Sequence, residues 1–306
     1  MNSCDIVLLT ADKYLPSQVQ NPLVRNVLLE NEMVSQALQN EGLKVLTKSW
    51  SDADFDWNST KCVLIRTPWD YFERFPEFMA WFKTAVKKTT FINDYELIIW
   101  NIDKNYLKDL QEKGIRLPNT YFVSKGSPLS LQSALEKAEA QFGKACDTWV
   151  LKPCIAGGAY NTYKFNTEEV ATYSERFQKL VLDDDFMLQE FQGNIVQKGE
   201  ISLMLFQGEY THAVLKRAKP GDFRVQDDYG GTVELYTASE QEIAFSKKVV
   251  EACAQLPLYA RVDIFEDNSG ELALAELEIF EPELWFRMFP EAAQVQAQTI
   301  KEHYFS

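Results

Sequence analysis

Histidine is nearly absent from this chain of 306 residues: His212 and His303 are the only two. A metal site or catalytic dyad built on imidazole is therefore not expected. Cysteine is sparse and unpaired. The five residues (Cys4, Cys62, Cys146, Cys154, Cys253) are odd in number and scattered, and no two have metal-ligand or redox spacing. Reduced thiols in a cytoplasm fit this pattern. Positive charge is in deficit, with 31 Lys and Arg against 45 Asp and Glu, a net charge of -14. That argues against unspecific binding to nucleic acid or an anionic membrane, which needs cations in excess, and leaves room for a local basic pocket for a nucleotide. No run of about 18 apolar residues occurs, so no spanning helix is expected. The N-terminus lacks the basic region and apolar stretch of a signal peptide. Internal repeats and low-complexity segments are also missing.

What remains is ordinary globular material, 46% hydrophobic and 13% aromatic, enough for a large core. The length suits two domains, or one large domain with sub-domains. Residues 5–10, 43–47, 62–66 and 89–93 read as short strands, with helices at 24–42 and 77–87 between them. That alternation predicts an open parallel α/β sheet. A helix carrying Asp103-Lys104 is expected over 94–116, and another over 129–142. Residues 149–153 read as a strand stopped by proline, and Asn166 with Glu169 as a capping box for a helix over 167–181. From Phe186 the chain turns strand-rich: 186–191, 200–206, 209–217, 232–236, 258–266 and 272–280, with helices at 240–253 and 290–303. We divide it into units at 1–95, 96–185 and 186–306.

The last two strands carry the strongest signal. Apolar residues alternate at Val262 and Ile264, then at Ala273, Ala275, Leu277 and Ile279. Asp267-Asn-Ser-Gly270 is turn chemistry. With those four residues as the loop, Glu266 faces Glu271, Asp263 faces Leu274 and Arg261 faces Glu276. Asp263, Glu276 and Glu278 then share one face. Three carboxylates so placed repel one another unless a cation lies between them, and hard oxygen ligands suit magnesium. A solvated outer face would show the same residues.

Four weaker constellations precede the hairpin. Lys152 at a strand end, followed by Gly157 and Gly158, suits phosphate binding, and equally a plain turn. Gln189-Glu190-Phe191 ends a strand whose backbone could read an adenine edge, or is simply a strand leaving the core. Residues 216–231 hold Lys216, Arg217, Lys219 and Arg224 in an otherwise acidic chain, which suits an anion site or an exposed loop. Arg66 follows a strand, where open α/β sheets gather ligands. It is a candidate for a substrate carboxylate, or for an ion pair with Asp70.

The order of these pieces resembles the ATP-grasp superfamily of glutathione synthetase and D-alanine–D-alanine ligase. The segments Arg66-Thr-Pro-Trp-Asp-Tyr, Trp100-Asn-Ile-Asp-Lys104 and Gly221-Asp-Phe-Arg-Val resemble a bacterial group that includes the cyclo-ligase of D-cycloserine biosynthesis. The likeness implies an α/β ATP-grasp fold, in which a parallel sheet domain precedes two α+β subdomains that clasp ATP. It implies that Lys104, Lys152 and Lys216 meet ATP, with Gly157 and Gly158 in a mobile loop over the phosphates. Gln189, Glu190 and Phe191 would form the adenine hinge, with Glu200 near the ribose. Asp263, Glu276 and Glu278 would hold two magnesium ions, with manganese as a substitute. Glu278 departs from the family's usual Asn, and Ser202 stands where glutathione synthetases tend to carry arginine.

The implied reaction is an ATP-dependent ligation or cyclisation of a small amino-acid-like substrate. A carboxylate becomes an acyl phosphate and an amine displaces phosphate, with Arg224, Lys152 and Arg66 as catalytic residues. A small-molecule kinase and a non-catalytic ATP-binding protein are the alternatives. The expected partners are small carboxylates and amines, with no nucleic acid or membrane, and a homodimer is compatible with the sequence.

Overall fold

The computed structural model describes residues 4–15, 21–225 and 230–305. Strand β1 (Cys4–Thr10) buries Ile6, Val7, Leu8 and Leu9 completely, as a strand covered on both faces must. Helix α1 (Pro22–Asn40) begins at Asn21, whose side chain accepts the Val24 N–H at 2.9 Å. Strands β2 (Val45–Ser49), β3 (Thr60–Thr67) and β4 (Thr90–Ile92) complete a parallel sheet in the order β2-β1-β3-β4, and helix α2 (Phe75–Ala85) packs Phe78 and Phe82 beneath it.

The helix expected over 94–116 is two, α3 (Tyr95–Asn101) and α4 (Tyr106–Glu112). Between them the Lys104 N–H donates to the Cys154 carbonyl at 2.9 Å, and the Asp103 carboxylate accepts the Asn105 N–H at 2.9 Å. Both bonds withdraw backbone groups from helical pairing and hold Lys104 in the break.

The second sheet joins β5 (Thr120–Val123), β8 (Phe186–Glu190), β6 (Thr148–Pro153) and β7 (Tyr163–Asn166), all antiparallel, backed by α5 (Leu131–Phe142) and α6 (Val170–Asp183). Asn166 and Glu169 form the expected capping box. Because β8 pairs with both β5 and β6, a boundary at 185/186 cuts through this sheet. The second unit ends after β8, near α7 (Gly193–Lys198).

The third sheet runs β11 (Thr232–Tyr236), β10 (Glu209–Arg217), β9 (Glu200–Phe206), β12 (Tyr259–Glu266), β13 (Leu272–Glu278), with α8 (Glu240–Glu251) against it. Helix α9 (Glu291–Tyr304) returns to the first unit and packs on α1. Its Ala292, Ala293, Ala297 and Ile300 share one core with Ile6, Leu8, Val34 and Leu38. Residues 226–229 of the basic segment lie outside the described residues. Among the described residues no helix is long and apolar enough to cross a membrane.

Candidate active site

A cleft of about 700 Å³ opens where the three sheets meet. Its floor is the β12–β13 hairpin, in a register the sequence does not predict. Asp263 faces Glu276 and Arg261 faces Glu278. Residues 267–271 make the connection, and a bulge at Ala275 adds a second one-residue offset. One offset alone would turn Glu276 and Glu278 to the opposite face; two restore it. The shared face therefore survives a wrong register.

Strand β13 is a sheet edge, yet its backbone is not open. Asn101 Nδ2 donates to the Leu277 carbonyl at 2.8 Å, and Asn101 Oδ1 accepts the Ile279 N–H at 3.0 Å. The Tyr106 hydroxyl donates to the Leu277 carbonyl at 3.0 Å and accepts its N–H at 2.8 Å. Asn93 Nδ2 donates to the carbonyls of Tyr259 and Ile279. Side chains from the first unit and the helical break thus fix the strand that carries both glutamates.

The three carboxylates are each met by a cation. Asp263 accepts from Arg261 (2.9 Å), Lys216 (3.1 Å) and the Ser202 hydroxyl (2.6 Å). Glu276 pairs with Lys104 at 2.9 Å, and Glu278 with Arg261 at 2.5 Å. Among the described residues no three His, Cys, Asp or Glu side chains are grouped as a metal site. Arg261 bridges Asp263 and Glu278, Lys216 joins Asp263 to Glu200, and Lys104 pairs with Glu276, so side-chain cations neutralise the three expected metal ligands here. Burial works against the Asp263 carboxylate, but Arg261 and Lys216 hold it well below its ordinary range. Burial pushes Glu278 well above it despite Arg261. Glu281 is pushed up to about 7 by burial, against the pull of Arg261 and of the Trp69 indole N–H. Glu200 is likewise raised by burial, although Lys216 lies 2.6 Å away.

Lys104 donates to the Ala156 carbonyl at 2.8 Å, tying the helical break to the glycine loop. Burial opposes its charge, but Glu276 overrides that and raises its pKa. Lys152 differs. It lines the cleft, forms no ion pair among the described residues, and has its pKa lowered by burial. A Cβ at Gly157 would sit 3.1 Å from the Phe72 ring, closer than side chains ordinarily pack. Gly158 lies in left-handed backbone at φ 55°, and both glycines line the cleft. Gln189 is buried and donates to the Thr120 hydroxyl at 2.7 Å. The Glu190 carboxylate is occupied by Lys144 (2.6 Å) and Asn119 (2.9 Å). Phe191 meets Phe223 edge to face at 6.3 Å, and the Lys164 ammonium lies 3.8 Å from the Phe191 ring centre.

The fold has known counterparts. Residues 6–93 match the family described as D-cycloserine synthetase DcsG, N-terminal domain. The chain is 26% identical to the cycloserine biosynthesis protein DcsG of Streptomyces lavendulae over 279 residues, 87% of this chain and 91% of that protein. A crystal structure of D-cycloserine synthetase DcsG superposes with a TM-score of 0.85 at 23% identity, covering 98% of this chain and 99% of that one. The ATP-grasp ligase PsnB, complexed with a phosphomimetic variant of its minimal precursor, Mg and ADP, superposes with a TM-score of 0.62 at 13% identity over 97% of this chain and all of that one. The fold is the ATP-grasp fold.

The two expected catalytic arginines are placed differently in this fold. Arg66 is 1% exposed and does not line the cleft. Its Nε donates to Asn31 at 3.4 Å, its Nη2 lies 3.9 Å from Glu30, and its guanidinium packs 5.3 Å from the Phe286 ring. The alternative pair with Asp70 is also absent, since Asp70 bonds Trp50 and Arg74. Arg224 does line the cleft and grips Asp222 with Nε at 3.1 Å and Nη2 at 2.8 Å.

Sequence reading missed Arg261, which bridges Asp263 and Glu278. It lies two residues before Asp263 on one strand, so alternation alone places both on one face. Asn268 was missed too. Its Nδ2 donates to the Phe191 carbonyl and its Oδ1 accepts the Gly193 N–H, both at 2.9 Å, clamping the hairpin turn to the end of β8. Nothing local in the sequence signals that contact.

Proposed function

We propose that this chain is an ATP-dependent ligase that activates a small carboxylate as an acyl phosphate and joins it to nitrogen. The observation that carries the reading is Lys152: a desolvated ammonium with no carboxylate partner, set in a cleft beside Lys104, Lys216, Arg224 and Arg261. Five cations within an acidic chain call for a polyanion. Two structural relatives are named as a synthetase and an ATP-grasp ligase, and PsnB is described with Mg and ADP.

The donor set fits magnesium. Asp263, Glu276 and Glu278 offer only hard oxygens, and the burial that raises Glu278 is relieved by a cation at that carboxylate. These three residues would hold the metal, which when bound neutralises phosphate charge during transfer. The chain's own side chains do the rest. A nucleoside triphosphate entering the cleft competes with Glu276 for Lys104 and with Glu278 for Arg261, freeing both glutamates. Lys152 and the amides of the loop at Gly157 and Gly158 stabilise charge on the phosphates. Phe191 and Phe223 provide an apolar slot for the base. Arg224 reaches the phosphate undergoing transfer by exchanging Asp222 for it. No side-chain nucleophile is required, which agrees with a cleft free of histidine and cysteine among its described lining residues.

Calorimetry with a non-hydrolysable ATP analogue and magnesium tests this. Lys104→Ala and Lys152→Ala should each weaken binding by about 1.5–3 kcal/mol, the size of a charge-assisted hydrogen bond. Unchanged affinity in both folded variants would move the phosphate site elsewhere.

A further inference from the structure

Glu30 and Arg66 form a buried ion pair that satisfies neither partner. Glu30 Oε2 lies 3.9 Å from Arg66 Nη2 and accepts no hydrogen bond among the described residues, and Arg66 Nη1 donates none. The two side chains are 3% and 1% exposed. A charge pair taken out of water on such terms contributes little to stability, and apolar side chains of like volume would fill the core as well. Its geometry points to another task.

The better bonds of Glu30 run to one distant segment. Its Oε1 accepts the Arg287 backbone N–H at 3.0 Å and Arg287 Nη1 at 3.1 Å. Arg287 also pairs with Glu283. One guanidinium between two carboxylates leaves negative charge over, and Arg66 supplies a second cation: the fields of Glu30 and Glu283 both favour its charge. Glu30 comes from α1 and Arg66 from the end of β3, so the first unit grips the segment 283–287 of the third.

That segment is strained. Trp285 has left-handed backbone at φ 56°, which a bulky side chain adopts only where its surroundings impose it. The chain is tied on both sides of it: the Leu284 carbonyl lies 2.9 Å from His212 Nε2, and the Arg287 N–H is the one that Glu30 holds. The Arg287 guanidinium covers the Trp285 ring at 4.5 Å. Two side chains of the cleft depend on the result. Trp285 lines it, and Arg261 Nη1 donates to the Glu283 carbonyl at 3.3 Å while its Nη2 holds Asp263 and Glu278.

We propose that Glu30 and Arg66 are positioning residues, which hold the segment 283–287 in its strained form and so fix Trp285 and Arg261 in the cleft. The positioning stands on geometry; its consequence for nucleotide rests on the ligase reading.

Fluorine NMR of the chain labelled with 5-fluorotryptophan tests it, with the Trp285 signal assigned by Trp285→Phe. In the double variant Glu30→Met/Arg66→Met, an apolar swap of the whole pair, the Trp285 signal should move and become several-fold more open to a soluble gadolinium chelate. The Trp57 and Trp149 signals should stay in place. Arg66→Lys, which keeps the charge beside Glu30, should leave Trp285 as in the wild type. Affinity for magnesium and the non-hydrolysable ATP analogue should fall about 10-fold in the double variant and hold in Arg66→Lys, as when the outer partner of a binding group is lost. An unmoved Trp285 signal in the folded double variant overturns the proposal, and so does a displaced one in Arg66→Lys. If the double variant does not fold, Glu30→Gln decides instead, since it keeps the side-chain volume and removes the charge; an unmoved Trp285 there overturns the proposal equally. A displaced Trp285 with unchanged nucleotide affinity overturns the part that concerns Arg261. A wild type that binds no nucleotide, with Trp285 responding as described, would defeat the ligase reading and leave the positioning standing.

Discussion

Removing one oxygen atom from Tyr106 should loosen the floor of the cleft without touching any group that binds ligand. The Tyr106 hydroxyl is both donor and acceptor to Leu277, at 3.0 and 2.8 Å, and the two residues are 2% and 1% exposed. In Tyr106→Phe the ring packing stays, but a buried N–H and a buried C=O lose a partner. The carbonyl keeps Asn101 at 2.8 Å, while the N–H keeps nothing among the described residues. One fully orphaned donor and one half-satisfied acceptor cost about 2–4 kcal/mol together. Leu277 stands between Glu276 and Glu278, so the loss falls on the strand that carries them. Native-state hydrogen exchange reads it directly: the Leu277 amide should exchange about 30- to 1000-fold faster, with β1 amides unchanged. The urea midpoint should fall as well. A Leu277 amide as protected as in the wild type would refute the reasoning, and would mean that the edge of β13 is held by strand pairing alone.

Asp263→Asn should destabilise the chain by about 1–3 kcal/mol, because Arg261 keeps Glu278 and Lys216 keeps Glu200 but both lose a charged hydrogen-bond acceptor in a buried site; urea unfolding measures it. His212 is 4% exposed, its Nε2 lies 2.9 Å from the Leu284 carbonyl, and burial lowers its pKa from 6.5 to about 4. A depressed native pKa means that the unfolded chain takes up a proton first as pH falls. The stability is therefore present above pH 6.5 and lost progressively down to about pH 4, amounting to roughly 3 kcal/mol. His212→Gln should flatten that limb of a stability-versus-pH curve, and an unchanged slope would show that other groups set it.

What was legible in the sequence was local. Alternation at Val262, Ile264 and Leu277 marked the hairpin, and Asn166 with Glu169 marked a helix start. The bulge at Ala275 was invisible, since nothing in an Ala-Leu-Ala run distinguishes a bulged residue from a paired one. The acids kept their common face only because the bulge and the longer turn offset each other. Arg66 was misread for a different reason. Its position after a strand is where ligands gather, but the segment 283–287, distant in sequence, folds back and buries it beneath Phe286. Long-range polar contacts decide such assignments, and periodicity carries no information about them.

The central claim is that the cleft makes a bond to nitrogen through an activated carboxylate. Phosphate release from ATP and magnesium, with amino acids and small carboxylic acids offered in pools and the products weighed by mass spectrometry, tests it most directly. The account predicts release that depends on one amino-acid-like substrate, one ADP per turnover, and a product that has lost water and carries no phosphate. A phosphorylated product would identify a kinase, and ATP binding with no turnover across the pools would identify a nucleotide-binding protein; either would contradict it.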